Sequence, residues 1–490
     1  MTTILVIFIY LTLVLLIGVL SHRLFLGTSE DYFVATRTIG PFVLLMSLFG
    51  TNMTAFTILG ASSQAYHSGI GVFALMASSS ALVIPLVFFL LGPRIWALGK
   101  HHGYLTQIQF FRARWESDSF GLLLFFVLII LIIPYLLIGV MAGGVTLRVI
   151  TNGAIPEWLG GLIVCLVVLT YVTYGGLRGT AWANTFQTLV FMVLGSLSLF
   201  IVVKSLGGLD QAMARVAHSR PDLLARGDHM KPLHLLSYTL VPVSVGMFPH
   251  MFMHWLSARH AETFRYPLMF YPICVAVVWL PSVLLGIFGS IDFPGLQGPE
   301  TNNVLIRMIE LHTPHVLAGL LAAGVLAAVM SSLDSQVLSI GTMFTQDIVR
   351  HYGFQDRMSE KKQVFIGRLF VVGVLIVTYS LFLLSNRGIF GLGIWSFSGF
   401  SALFPVVAAA LFWKRSTKEG AFACVISAMT LWIYLFISSD QSPSYTLGGT
   451  GIMPVALLLS VSSAMMIIVS LGTCAPDETV IKKFFNVTKT

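Results

Sequence analysis

Continuous apolar stretches of roughly twenty residues, joined by short polar links, recur along the whole chain. A hydrocarbon core of ~30 Å needs about 20 apolar residues per helix. Windows of that length predict thirteen transmembrane helices, at about 2–22, 42–66, 72–97, 119–143, 158–177, 182–204, 236–257, 266–289, 315–345, 364–384, 390–413, 418–437 and 452–473. The runs are continuous rather than alternating, which excludes a transmembrane β-barrel. The predicted fold class is therefore an all-α polytopic membrane protein. The first run, Ile4 to Leu20, has no basic start and no small-residue cleavage site, and it leads into further spans, so it is read as a membrane helix and not a signal peptide. The run at 42–66 is interrupted by Gly50, Thr51, Asn52, Thr54 and Thr57.

Composition supports this pattern. Of the 490 residues 56% are hydrophobic and 10% charged, whereas a soluble domain carries about 25% charge. So apolar an exterior needs lipid as its solvent. The net charge of +8 would suggest a nucleic-acid partner only if the basic groups were clustered. Instead they alternate between loops, and Lys and Arg concentrate on the cytoplasmic side of membrane proteins. With the amino terminus outside, twenty of the 28 fall in inner loops, from Arg23, Arg37, Arg94 and Lys100 through Arg112, Arg114 and Arg178 to Lys482, Lys483 and Lys489. Eight fall outside: Arg148, Lys204, Arg215, Arg220, Arg226, Lys231, Arg307 and Arg387. The expectation is a multi-pass protein of the cell inner (plasma) membrane, with amino terminus outside and carboxyl terminus cytoplasmic. The longest hydrophilic stretch, roughly 205–235, is an external loop with an amphipathic helix at Leu209 to Val216. Cys165, Cys274, Cys424 and Cys474 show no metal or redox spacing and read as small hydrophobes.

Transport needs a site near mid-membrane, and an unwound helix supplies one through free carbonyls for a cation and free N–H groups for an anion. Two segments could unwind: Gly50-Thr51-Asn52-Met53-Thr54, and Val245-Gly246-Met247-Phe248-Pro249-His250, where Pro249 removes a donor. A tolerated kink is the alternative reading of each. A third feature is the stripe of Ala328, Ser331, Ser332, Ser335 and Ser339 on one helical face. It would serve close helix packing or supply neutral oxygens for a desolvated Na⁺, and the residues alone favour packing.

Four stretches then resemble one family. Ser29-Glu30-Asp31-Tyr32-Phe33 with Arg37 and Gly40-Pro41 resembles the first cytoplasmic loop of sodium:solute symporters. Tyr171-Val172-Thr173-Tyr174-Gly175-Gly176-Leu177-Arg178-Gly179-Thr180 is similar to the turn between that family's fourth and fifth core helices. Met330-Ser331-Ser332-Leu333 through Phe344-Thr345-Gln346-Asp347-Ile348 resembles its sodium-site helix, and Phe412-Trp413-Lys414-Arg415-Ser416-Thr417-Lys418-Glu419-Gly420-Ala421 the exit of its tenth core helix. The resemblance implies a LeuT-type fold of two inverted five-helix repeats, 42–204 and 236–413, with one helix before and two after. It implies a Na⁺ site made by backbone oxygens of Gly50, Met53 and Ala328 and hydroxyls of Ser331 and Ser332. It also places a substrate near Asn52, Thr54, Thr57, Phe248, Pro249 and His250.

Departures narrow the substrate. Many relatives carry an Asp where this chain has Asn184, which implies a single coupling cation or a weaker second site. Asp334 lies one turn beyond Ser331, and a charge at mid-membrane costs ~2.5–3.5 kcal/mol. It is therefore a candidate coupling residue, with a structural carboxylate as the alternative. Sugar carriers of the family use a Glu early in the second core helix, yet residues 69–75 lack a carboxylate; sialic-acid carriers use an Arg in the third, and residues 119–143 lack one. The Pro-His pair at Pro249-His250 resembles the organic-acid, pantothenate and proline branches, and His67 and His254 could add partial positive charge. The expected function is sodium-coupled symport of a small organic solute, most of all a monocarboxylate or other small organic acid, with sodium- or proton-coupled symport of a proline-like amino acid as the alternative. Two rival classes fit the residues less well: a membrane enzyme, which would need paired acids or a His-Asp cluster that the sequence does not show, and a transporter-like sensor, which would be expected to carry a signalling domain. The expected partners are solute and lipid bilayer, with no nucleic acid and no obligate protein.

Overall fold

The computed structural model describes residues 2–21, 37–225, 227, 230–354, 360–385 and 387–485. The motif at Ser29–Phe33 lies outside them. Within the described residues there is no β-strand, and helix follows helix. In chain order they are α1 (Thr2–Ser21), α2 (Pro41–Asn52), a π-helical turn (Phe56–Gly60) leading into α3 (Ala61–Ser68), then α4 (Ser79–His102), α5 (Gln107–Trp115), α6 (Asp118–Ile150) and α7 (Glu157–Ser205). Next come α8 (Leu209–Ser219), α9 (Pro232–Tyr238), a 3₁₀ turn (Val241–Gly246), α10 (Pro249–Ser257), α11 (Arg265–Asp292) and α12 (Val304–His312). The last are α13 (His315–Met343), α14 (Glu360–Leu384), α15 (Ile389–Ala402), α16 (Phe404–Phe412), α17 (Lys418–Ser438), α18 (Pro454–Gly472) and α19 (Glu478–Phe485).

Among the described residues nine helices are long and apolar enough to cross a membrane, or eleven when each of two bent pairs is one span. Two shorter apolar helices, Thr2–Ile17 and Glu157–Thr173, stand beside them. Thirteen spans require both of these to cross. Large apolar side chains cover the outside, with Leu82 74% and Leu384 81% exposed. A patch of that kind on a soluble protein would drive association, whereas lipid accepts it.

The turn expected within 171–180 takes an unusual form. Helical conformation continues from Glu157 to Ser205, 49 residues, which would be about 74 Å if straight. Yet both ends of α7 reach one end of the bundle. Glu157 pairs with Arg148 at the close of α6 (3.5 Å), and Ser205 bonds His312 (2.8 Å) just ahead of α13. Helices α6 and α13 run antiparallel, since Phe125 meets Phe344 and Gly139 meets Leu333. So α7 must reverse between its apolar halves, Glu157–Thr173 and Gly179–Ser205. The span expected at 390–413 is divided at Leu403, where α15 ends and Pro405 helps start α16. Helix α6 runs past the expected 143 to Ile150 and so includes Arg148, but that residue is engaged by Glu157 at the helix end.

The connecting segments separate into two ends. At one, Arg37 donates to Leu256 O, Gly99 O and Tyr104 O, and Trp96 donates to Ala258 O. At the other, Arg215 meets Asp292, Lys231 donates to Gly449 O, and Tyr66 donates to Phe293 O. The basic residues named at the first end belong to the expected inner set and those named at the second to the expected outer set.

The end that holds Arg37 has a built floor that hydropathy does not signal. Thr106 starts α5 by accepting from Gln109 N (3.1 Å), while its hydroxyl donates to buried Asp347 beyond α13 (3.0 Å). Arg114, fully buried, donates to Ala410 O, Trp413 O, Lys414 O and Ser416 Oγ, and lies against Phe484 and Phe485 of α19. Burial pulls its guanidinium down to about 10, still charged at neutral pH. Arg114→Met removes the side-chain donor to Ala410 O and Lys414 O, while Trp413 O keeps its bonds from Ser416, at ~1–3 kcal/mol for each buried group left unpaired. We expect a fall of at least ~5 °C in the unfolding temperature of the purified protein. Arg259→Met, at an exposed position of the same end, is the control expected to change nothing.

Candidate cation and substrate site

Both segments predicted to break do break. Helix α2 stops at Asn52, Met53 is extended (φ −85°, ψ 99°), and the chain resumes at Phe56 with a 59° change of direction. Thr54 Oγ1 accepts from Phe56 N (3.0 Å), which satisfies one donor of the new start. The second break separates Pro232–Gly246 from Pro249–Ser257 at 55°. There Pro249 occupies the first turn of α10, where its missing N–H has no partner to lose. The last carbonyls of a helix lack intrahelical donors and carry its negative dipole end. The end of α2 therefore offers oxygens in the protein interior.

Helix α13 meets that end with its small-residue stripe. Ser331 Oγ donates to Gly50 O (2.9 Å) and lies 3.1 Å from Ala328 O, and Thr51 Oγ1 donates to Ser331 O (3.1 Å). Of the five residues expected at a Na⁺ site, Gly50 and Ala328 thus have their carbonyl oxygens within reach of the hydroxyl of a third, Ser331. Met53 is buried nearby in sequence without a bond from its carbonyl to this group, and Ser332 Oγ donates to Val329 O of its own helix (3.0 Å). Gly50 also lets α2 lie against α7, because a Cβ there would overlap Thr188 Oγ1.

Asp334 is fully buried one turn further along. Tyr171 OH donates to its Oδ2 (2.8 Å) and Ser335 Oγ to its Oδ1 (3.1 Å). Among the described residues no basic side chain pairs with it. Asn184 Nδ2 bridges Ser335 Oγ (2.7 Å) and Thr51 Oγ1 (3.3 Å), and its Oδ1 is buried without a partner. An unpartnered oxygen in a buried polar cluster needs a reason, and a cation supplies one. Neutral oxygens beside an uncompensated carboxylate form a donor set that fits Na⁺. Sequence spacing pointed to Ser331, Ser335 and Asp334, and the expected break to Thr51, but not to the contact of Tyr171 with Asp334, which arises from packing between distant helices.

A cavity of about 40 Å³ lies between the two breaks, lined by Asn52, Met53, Phe56, Thr57, Phe248, Phe397 and Trp279 among others. Of the residues expected to meet substrate, Asn52, Thr57 and Phe248 line it; Thr54, Pro249 and His250 do not. Asn52 Nδ2 donates to Tyr271 OH (2.6 Å). His250 is buried with both ring nitrogens unpartnered, between Phe248 (5.2 Å) and Tyr135 (5.7 Å). His254 instead meets Ser47 Oγ (3.1 Å) through Nδ1. Toward the end that holds Arg215 and Lys231 the cavity is closed by Phe56, stacked on Phe390 (5.5 Å, 8°).

A profile of the sodium:solute symporter family matches residues 32–428. The chain belongs to that family. Its membership makes it a sodium-coupled symporter of a small organic solute, a transporter and not an enzyme. The sodium/proline symporter of Escherichia coli (strain K12) is 28% identical over 497 residues, covering 94% of this chain and 93% of the relative. The high-affinity proline transporter PutP of Bacillus subtilis (strain 168) is 28% identical, covering 96% and 98%. The sodium/pantothenate symporter of Escherichia coli (strain K12) is 27% identical, covering 92% of each. Among solved structures, the substrate-bound outward-open state of a Na⁺-coupled sialic acid symporter superposes with a TM-score of 0.78 at 17% identity, over 97% of this chain and 99% of that one. That likeness establishes the LeuT-type fold.

Proposed function

We propose that this symporter couples Na⁺ to the uptake of a small monocarboxylate, and that it sits in the plasma membrane with its amino terminus outside and its carboxyl terminus in the cytoplasm. The observation that carries the cation half is the Ser331 hydroxyl, within 2.9 Å of Gly50 O and 3.1 Å of Ala328 O across a broken helix. Gly50, Met53, Ala328, Ser331 and Ser332 are the proposed ligands, with Met53 and Ser332 joining only if α2 and α13 shift. Asp334 and Asn184 tune that site. The two breaks belong to two inverted repeats, 42–204 and 236–413, and substrate lies between them against Asn52, Thr57 and Phe248. Thr54, Pro249 and His250 act by shaping the breaks: the start of α10 presents N–H groups and the positive dipole end that suit a carboxylate. A cavity of about 40 Å³ holds only a few waters, so the walls must part to admit solute.

Proline is the second reading, favoured by the proline symporters among the relatives. Uptake by proteoliposomes under separate Na⁺ and H⁺ gradients, across monocarboxylates, amino acids and sugars, decides between them. We expect sodium-driven accumulation of a monocarboxylate. Accumulation of proline alone would replace the substrate assignment, and uptake driven by H⁺ alone would remove the sodium site.

A further inference from the structure

Beyond Phe390 the outer end opens into two cavities, of about 420 and 340 Å³. They share Gln64, His67, Phe390 and Pro443 as lining, so they are lobes of one vestibule around a common neck. Each is roughly ten times the central cavity, from which Phe390 separates them by its stack on Phe56. The lining has a single sign of charge. Its charges are Lys231 in one lobe and Arg387 in the other, while the imidazoles of His234 and of exposed His67, which faces both lobes, add polar ring nitrogens rather than charge; among the described residues neither lobe contains Asp or Glu. Lys231 spends one donor on Gly449 O (3.0 Å) and retains two. Arg387 donates to Asp440 O and pairs at 3.4 Å with the Asp440 carboxylate, which is 94% exposed and outside the lining.

A recess with low-dielectric walls and one sign of charge focuses its potential and raises the local concentration of the opposite ion. We propose that this vestibule is a capture site for small carboxylate anions, held chiefly by Lys231 and His67 before Phe390 and Phe56 part. Its carboxylate specificity rests on the monocarboxylate reading above, but its charge does not. The site gives an anionic solute an advantage at entry that a zwitterion lacks.

The test uses thiol chemistry and no transport. In a Cys474→Ser background, Gln64→Cys or Ser444→Cys places one reactive cysteine in the lining. Its rates with anionic sulfonatoethyl and cationic trimethylammonioethyl methanethiosulfonate are compared, each relative to free thiol. The expected preference for the anion is about tenfold at low ionic strength and shrinks with added salt. Lys231→Gln with Arg387→Gln should reduce it to near unity, and acetate should slow modification where acetamide does not. Both charges lie at the surface, and gel filtration verifies folding. Equal reagent rates, a preference indifferent to Lys231→Gln and Arg387→Gln, absence of acetate protection, or no reaction at either cysteine overturns the proposal. The uptake panel judges the substrate separately, so a proline carrier with an anion-selective vestibule and a monocarboxylate carrier without one are distinguishable.

Discussion

Ser331→Ala should raise the sodium concentration for half-maximal uptake about tenfold or more, with insertion and expression unchanged. Among the described residues its hydroxyl oxygen is the side-chain atom that bonds both Gly50 O and Ala328 O. An interaction with a charged partner contributes ~1.5–3 kcal/mol, and every 1.4 kcal/mol is tenfold. Ser332→Ala should shift activation less, because its hydroxyl is turned to Val329 O. A packing stripe makes the opposite forecast, since Ala is as small as Ser and packs as closely. Sodium activation curves for the two variants therefore separate the readings: no shift in Ser331→Ala, or equal shifts in both, returns the stripe to packing.

Asp334→Asn is expected to weaken sodium activation by a comparable factor while leaving the pH profile of transport in place. Helical spacing puts Asp334 roughly 5–6 Å from Ser331. At that distance and an effective dielectric near 20, a unit charge is worth up to about 3 kcal/mol to a cation. Asn preserves shape and one acceptor, so Tyr171 or Ser335 can still bond it and the fold should hold. Uptake measured against sodium at several pH values distinguishes three roles. Loss of sodium affinity alone marks electrostatic support, a flattened pH profile marks a proton carrier, and wild-type behaviour at every pH removes Asp334 from the mechanism.

The sequence revealed what depends on local chemistry. Gly-Thr-Asn and Gly-Met-Phe-Pro sit where helices cannot continue comfortably, and both breaks formed there. The periodicity of α13 put its serines on one face before any packing was known. What remained hidden depends on distant partners. Two serines adjacent in sequence look equivalent by spacing, and only the approach of α2 separates Ser331 from Ser332. Tyr171 reads as part of a turn, yet its hydroxyl reaches Asp334, 163 residues away. Helices α5 and α19 are too short and too polar for a membrane window, and they form because Arg114 and a cluster of phenylalanines bury one face of each. The interruption at Leu403 has no local signal beyond Pro405.

The two bends, 59° and 55°, have a consequence for how such a carrier can change over time. The peptides at Gly50–Met53, whose oxygens are proposed to meet the cation, are also those about which α2 turns into α3. Holding the ion and yielding to motion are properties of the same few bonds. A change that stiffens them in a binding geometry must slow the cycle, and one that loosens them must forfeit affinity. Adaptation to a new solute is therefore expected on the walls around the bends, at positions such as Thr57, Trp279 and Phe397, where a side chain can alter without taxing the pivot.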